Sequence, residues 1–219
     1  MKGNVTKKCE SNNQELNIVL RILLYMIGIM VMPFGVVLTI NSHMGAGGYD
    51  ALNFALGETL HIKTSYAIYL TAAFAVIITA IIRRGFPRIT TFISSILLGI
   101  STDIWKSILE DIQATTMLQA LILLIVGVIF IGVAVASYMH SMFPTNPTDD
   151  MIVAMKEKGI SIRVAKIGFD VFCIMVAWIF GGEIGAGTIL ITLLLGPVID
   201  LFYNLIFKVI KLSNKKETC

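Results

Sequence analysis

The chain has 219 residues, of which 56% are hydrophobic and 14% charged, against roughly a quarter charged in soluble domains. A mean hydropathy of +0.84 is too high for a water-soluble core and its coat. The net charge of +3 reflects cations gathered beside membrane spans and gives no reason to expect a nucleic-acid partner.

Residues 1–17 are polar and carry Lys2, Lys7 and Lys8. The apolar run at 18–40 is too long for the hydrophobic region of a cleaved signal peptide and reads as a retained first span. The breaker stretch Gly45-Ala46-Gly47-Gly48 then opens a short segment at 49–60, with Asp50 in its first turn and Asn53 behind it. Spans at 66–82 and 89–105 follow, separated by Arg83, Arg84 and Arg88. The second half holds a span at 117–137 and a second breaker, Pro144-Thr145-Asn146-Pro147. A short segment at 148–158 opens with Asp149 and Asp150, and spans at 164–180 and 188–207 precede a basic tail at 208–219. Runs of about 17–23 residues suffice to cross ~30 Å of hydrocarbon as helices. Helices are required because backbone exposed to lipid must satisfy its own hydrogen bonds. At about 11–12 residues the two short segments cannot cross and read as interfacial or re-entrant helices.

The halves resemble each other. Shifted by 99 positions, Gly28 meets Gly127, Gly48-Tyr49-Asp50 meets Pro147-Thr148-Asp149, and Leu52 meets Met151. A shift of 97 brings LLGISTDIW, from Leu97, onto LLGPVIDLF, from Leu194, and places Asp103 on Asp200. Repeat 1 is taken as 18–108 and repeat 2 as 117–207. Each holds three spans, and an odd number inserts the second repeat upside down. The expected architecture is therefore an all-α membrane protein of six transmembrane helices in two inverted three-helix repeats, each with a short helix after its first span. Many secondary transporters are built this way.

At these motifs the chain resembles the YczE/YitT-like family of bacterial membrane proteins, over essentially residues 18–207. Where that family more usually reads P-x-D, Gly48 stands in the first copy, and Pro147 is kept in the second. The short tail makes the chain look closer to the YczE type than to longer YitT-type members, which carry a soluble C-terminal domain. The resemblance implies a plasma-membrane location and assigns no biochemical role.

Charge placement sets the expected orientation. All the Lys and Arg residues except Lys63 and Lys106 fall on one side of such a topology, which puts both termini in the cytoplasm. A charge within a span costs at least ~2.5–3.5 kcal/mol, so each needs a partner, water or a function. Asp103 lies about 22 Å along a helix that starts at the cytoplasmic face, and Asp200 about 12 Å from the inner end of the last span. They bond to neighbouring backbone and hydroxyl groups and lock the repeats, act as gates or cation or proton sites, or are solvated at the interface. Asp170 has Lys166 four residues before it, the spacing of an ion pair on one helix face. Asp50 and Asp149 either cap interfacial helices or help line a polar site between the repeats. Glu183 reads as solvated, and His43 and His140 as interfacial.

Cys9, Cys173 and Cys219 have no metal-ligand or redox spacing. No HExxH, G-x-S-x-G, Walker A or CxxC motif is present, so no catalytic role, metal or cofactor is expected. The leading expectation is a small secondary transporter or channel-like permease for a small solute. Its pathway candidates are Asp50, Asn53, Asp103, Asp149, Asp150, Asp170 and Asp200. The alternative is an accessory or substrate-binding subunit of a larger membrane complex. Expected partners are the bilayer, the solute and either a further copy or a membrane partner subunit.

Overall fold

The structure, a computed structural model, describes residues 18–141, 143, 146–160, 162–182 and 184–217, without the side chains of 162, 163 and 209–217. The expectations for the N-terminal tail, Pro144, Thr145, Glu183 and Cys219 fall outside these. The described residues form eight helices: α1 (Ile18–Asn41), α2 (Gly48–Thr59), α3 (Thr64–Arg83), α4 (Ile89–Ile108), α5 (Met117–Ser141), α6 (Pro147–Glu157), α7 (Ile162–Ile179) and α8 (Ala186–Glu217).

Four of these are long and apolar enough to cross a membrane: α1, α3, α5 and α8 from Ala186 to Lys208. The other two expected spans have the length, at 20 and 18 residues, but not the composition. The buried side of α4 is rich in Ser and Thr (Thr91, Ser94, Ser95, Ser101, Thr102), and α7 contains Arg163, Lys166 and Asp170. The helices also outrun the apolar stretches. Helix α5 reaches Ser141, and α8 continues to Glu217 through the stretch read as a tail. Nothing after Pro197 breaks the helical pattern, and a hydrogen-bond ladder does not end where hydrophobicity does.

Helices α1 and α5 form the central pair. Cβ atoms on Gly28 and Gly35 would lie 2.8 Å from the Ala134 carbonyl and 2.7 Å from the Gly127 carbonyl. Only small residues allow helix axes to approach this closely, and in lipid such contact is a main source of association. Their shared core holds Val36, Val37, Leu38, Ile131, Val135 and Tyr138. Helix α4 packs on α1, and α8 on α5.

The short helices lie inside this frame. Helix α2 packs on α7 and α3, and α6 on α3, α7 and α4. Proline suits the first position of α6 because that N–H would be unpaired in any case. The link before α2 is held against the start of α8, where Gly187 N donates to Met44 O at 2.8 Å. Gly45 has φ +105° there, which L side chains rarely adopt. Asp103 of α4 caps α3 from outside, accepting from Ser65 N at 3.1 Å and from the Ser65 hydroxyl. This supplies an acceptor to helix N–H groups that have no intrahelical partner.

Candidate solute pathway

Three cavities follow one another through the bundle, lined mostly by helices of the first half. The largest, about 560 Å³, is a vestibule bounded by α1, α2, α3 and α4, with Asn41, His43, Glu58, Lys63, Asp103, Lys106 and Glu110 in its lining. Phe54 lines both this vestibule and a second cavity of about 30 Å³. The Lys106 ammonium sits 5.1 Å from the centre of the Phe54 ring, close enough for a cation–π attraction. The second cavity is lined by Tyr49, Asp50, Asn53, Thr102 and Asn146 among apolar neighbours. It is large enough and polar enough to hold water. Leu98 and Asn146 separate it from a third space of about 10 Å³, beside Tyr25, Ser94 and Tyr138. Beyond lies a plug, in which Tyr25 bonds Ser94 at 2.7 Å and its ring lies tilted against Phe143, 5.2 Å between centres. Arg21 covers Phe143 at 5.4 Å and donates to Ser141 O at 2.8 Å.

The two short helices and the cap of the second supply the polar groups of the second cavity, apart from Thr102 of α4. Asp50 and Asn53 come from the first turns of α2, and Asn146 precedes α6. Asn53 is buried and bonded through both polar atoms: its amide donates to Tyr49 O at 2.9 Å, and its oxygen accepts from Thr71 at 2.7 Å. The Tyr49 hydroxyl lies 3.2 Å from Thr71. Asp50 is the exception, since no donor among the described residues bonds its carboxylate. Burial, the largest influence, pushes the Asp50 carboxyl up to about 7, while Lys166 opposes the rise and Asp170 and Asp149 add to it. Asp50 therefore exchanges a proton near neutral pH, whereas an ordinary aspartate does so near ~3.9.

The other candidates separate into distinct groups. Asp149 accepts from the Tyr138 hydroxyl at 2.6 Å, and Asp170 pairs with Lys166 at 3.0 Å. Both influence Asp50 electrostatically, so these three carboxylates gather where α2, α6 and α7 meet. Asp150 belongs to a different cluster, bridged to Arg83 at 2.6 Å and Arg88 at 3.3 Å, with Glu157 joining Arg83 at 2.9 Å. Asp103 faces the vestibule. Asp200 does not share that environment: it is exposed on α8, and its carboxylate has no bond among the described residues. The sequence match of the two aspartates thus places them at equivalent helix positions with unequal surroundings, because α3 packs on α4 while α7 makes little contact with α8.

Several residues escaped the sequence reading. Phe54 and Thr71 look like ordinary span and core residues, and Asn146 stood only as part of a breaker. Arg83 and Arg88 bear on topology by their charge and also neutralise Asp150. His140, expected at an interface, is buried, stacked 4.1 Å from Tyr203 and bonded to Tyr203 O at 3.0 Å. Among the described residues no group of three or more His, Cys, Asp or Glu side chains is placed to hold a metal ion.

Residues 19–204 match the model of DUF6198, described as a family of unknown function. The chain belongs to this family. It is 28% identical over 184 residues to "Uncharacterized membrane protein YczE" of Bacillus subtilis (strain 168), covering 83% of this chain and 85% of the relative. It is also 28% identical over 185 residues to "Uncharacterized protein YyaS" of the same organism, covering 83% and 92%. No solved structure matches. This chain is accordingly a YczE-like membrane protein.

Proposed function

We propose that this protein is a small secondary permease of the plasma membrane, and that the solute passes along the line of three cavities. That line is the observation carrying the reading. It runs from a charged vestibule to the polar ends of two short helices, where broken-helix transporters hold their substrates.

In this reading α1, α3, α4, α5, α7 and α8 are the six spans, α2 and α6 are re-entrant, and the halves are inverted repeats. Contacts that recur when residues are exchanged by 99 positions support the repeat. The close approach of Gly28 to Ala134 O has its counterpart in Gly127 against Gly35 O. The bond of Ser42 to Thr39 O recurs as Ser141 to Tyr138 O, both at 2.6 Å. Asn41 donates to the O of Leu109, the C-cap of α4, at 2.9 Å, and His140 bonds Tyr203 O on α8 at 3.0 Å. Helix α2 lies on α7 as α6 lies on α3. The ion pair of Asp170 with Lys166 lowers the cost of holding α7 within the bilayer.

Positive-inside placement puts the vestibule outside and Arg83 and Arg88 inside, with cytoplasmic termini. The two ends are then in opposite states. Glu58 lines the open vestibule, whereas its equivalent, Glu157, is engaged with Arg83. This is an outward-open, inward-closed arrangement, and exchanging the two environments gives the opposite state.

Thiol accessibility tests the pathway without knowledge of the solute. In a background with Cys9, Cys173 and Cys219 replaced by Ser, Thr102→Cys reacts with a small membrane-impermeant thiol reagent added outside. Removing the ring with Phe54→Ala speeds that reaction. A Thr102→Cys thiol that stays unreactive from both sides in the Phe54→Ala background removes the pathway.

One observation favours the accessory reading. Helix α8 is mostly exposed, and Asp200 lies on it unpaired beside Leu201, which is 65% exposed. A carboxylate on an apolar helix is costly in lipid, and a cation on a partner subunit would offset it. A stoichiometric partner that co-purifies in mild detergent and is lost with Asp200→Asn supports this reading; solute flux by the isolated chain in proteoliposomes removes it.

A further inference from the structure

A second large cavity lies apart from the polar line: an apolar groove of about 520 Å³, flanked by α3 and α7 and floored by α2 and α6. That is within the ~300–1,000 Å³ of ordinary small-molecule sites. Its lining draws on both halves: Leu52 and its counterpart Met151 lie on the floor, and Phe74 and Phe172 come from the two flanking helices. Phe74 and Phe172 are 59% and 56% exposed, so the groove opens onto the hydrocarbon. The hydroxyls in its lining, of Tyr49 and Thr71, bond to each other and leave no oxygen waiting for a polar ligand.

One end of the groove is cationic. Met151 and Met155 of α6 line it, and Lys158, the C-cap of that helix, continues their face at the i, i+4, i+7 spacing. Lys156 and Lys158 are exposed and form no ion pair among the described residues. Glu157 between them is bonded to Arg83. An anion is the complement this end lacks, and a hydrocarbon chain is what the rest of the groove fits. A protein helix suits it poorly. Bulky rim residues prevent the close backbone approach on which helix pairs in lipid depend, while methionine adapts to a flexible chain.

We propose that the groove binds an acyl chain of an anionic membrane phospholipid, with the headgroup phosphate held by Lys156 and Lys158. The bound chain fills the space between α3 and α7 and supports the apolar side of α2. This inference is independent of whether the protein transports a solute.

Native mass spectrometry of the full chain, equilibrated with phosphatidylglycerol or phosphatidylcholine in mild detergent, tests it. The parent protein retains one phosphatidylglycerol in preference to phosphatidylcholine. Lys156→Gln and Lys158→Gln each weaken that retention about fivefold, the effect of one cation near an anionic headgroup. A Cβ on Gly168 meets nothing within 4 Å, so Gly168→Leu fills the groove without a clash and abolishes retention. Gly196→Leu, equally open but on α8, keeps it and serves as the control. Equal retention by Gly168→Leu and Gly196→Leu overturns the groove assignment. Equal retention of the two lipids by the parent overturns the headgroup assignment, and a protein captured in the groove by a crosslinker at Phe74→Cys overturns both.

Discussion

At the scale of single residues, the acidic side chains divide by what compensates them. Asp103 accepts from Ser65, Asp149 from Tyr138, and Asp150 and Asp170 are ion-paired. Asp50 lacks such a partner and retains a proton to about pH 7. The sign of its effect on stability follows from linkage. An unfolded aspartate loses its proton near ~3.9, whereas folded Asp50 holds it to about 7. Folding therefore takes up a proton in this interval, so stability is greatest below it, falls as pH rises through it and levels off above. Thermal unfolding in a fixed detergent should give a lower midpoint at pH 7.5 than at pH 5 for the parent. Asp50→Asn should flatten that slope; an unchanged slope assigns the pH dependence elsewhere. Sequence spacing anticipated the pairing of Asp170 with Lys166, because i,i+4 geometry is local. It could not anticipate the partners of Asp150, which lie on and beside other helices, or the burial of Asp50 without one.

At the scale of elements, helix identity follows from apolar length, but helix contact depends on a few small or capping residues. A Cβ on Gly28 would press on the Ala134 carbonyl and Tyr138 backbone of α5, neither of which can rotate away. Gly28→Leu should destabilise the α1–α5 pair by about 1–3 kcal/mol, the usual cost of overpacking. Gly85→Ala, with nothing within 4 Å, should be close to neutral. The same thermal assay distinguishes them. The start of α3 depends on a residue of another helix. Asp103→Ala should cost about 0.5–2 kcal/mol, as loss of an N-terminal acceptor does. Combining it with Ser65→Ala should cost less than the sum, because the two share one interaction. Additive losses would place the role of Asp103 in the vestibule instead. The sequence alone gave α4 and α7 the length of spans, while their Ser, Thr and charged residues are accounted for only by the neighbours they face.

At the scale of the whole molecule, sequence-related residues at the two ends stand in different surroundings. Glu58 and Glu157 occupy equivalent positions on α2 and α6, yet one lines an open vestibule and the other is held by Arg83. In the cysteine-replaced background, Glu58→Cys should label quickly from outside. Arg83→Gln should release the inner end and slow that labelling as the population shifts inward, since any change can favour only one of two states at the other's expense. Labelling of Glu58→Cys that is indifferent to Arg83→Gln would uncouple the two ends and remove alternating access.

By itself, the sequence determined that this is a helical membrane protein with two similar halves and short helices opening at Asp50 and Asp149. Those features depend on apolar run length, breaker residues and self-similarity, all properties of consecutive residues. Which side chains meet depends on how the helices pack: Phe54 between two cavities, Arg83 against Asp150 and Glu157, and Asp103 engaged while Asp200 is exposed. The pair in LLGISTDIW and LLGPVIDLF shows why. Identical local patterns fix equivalent helix positions, but the environment of a carboxylate is supplied by other helices, and α3 lies against α4 in a way that α7 does not lie against α8.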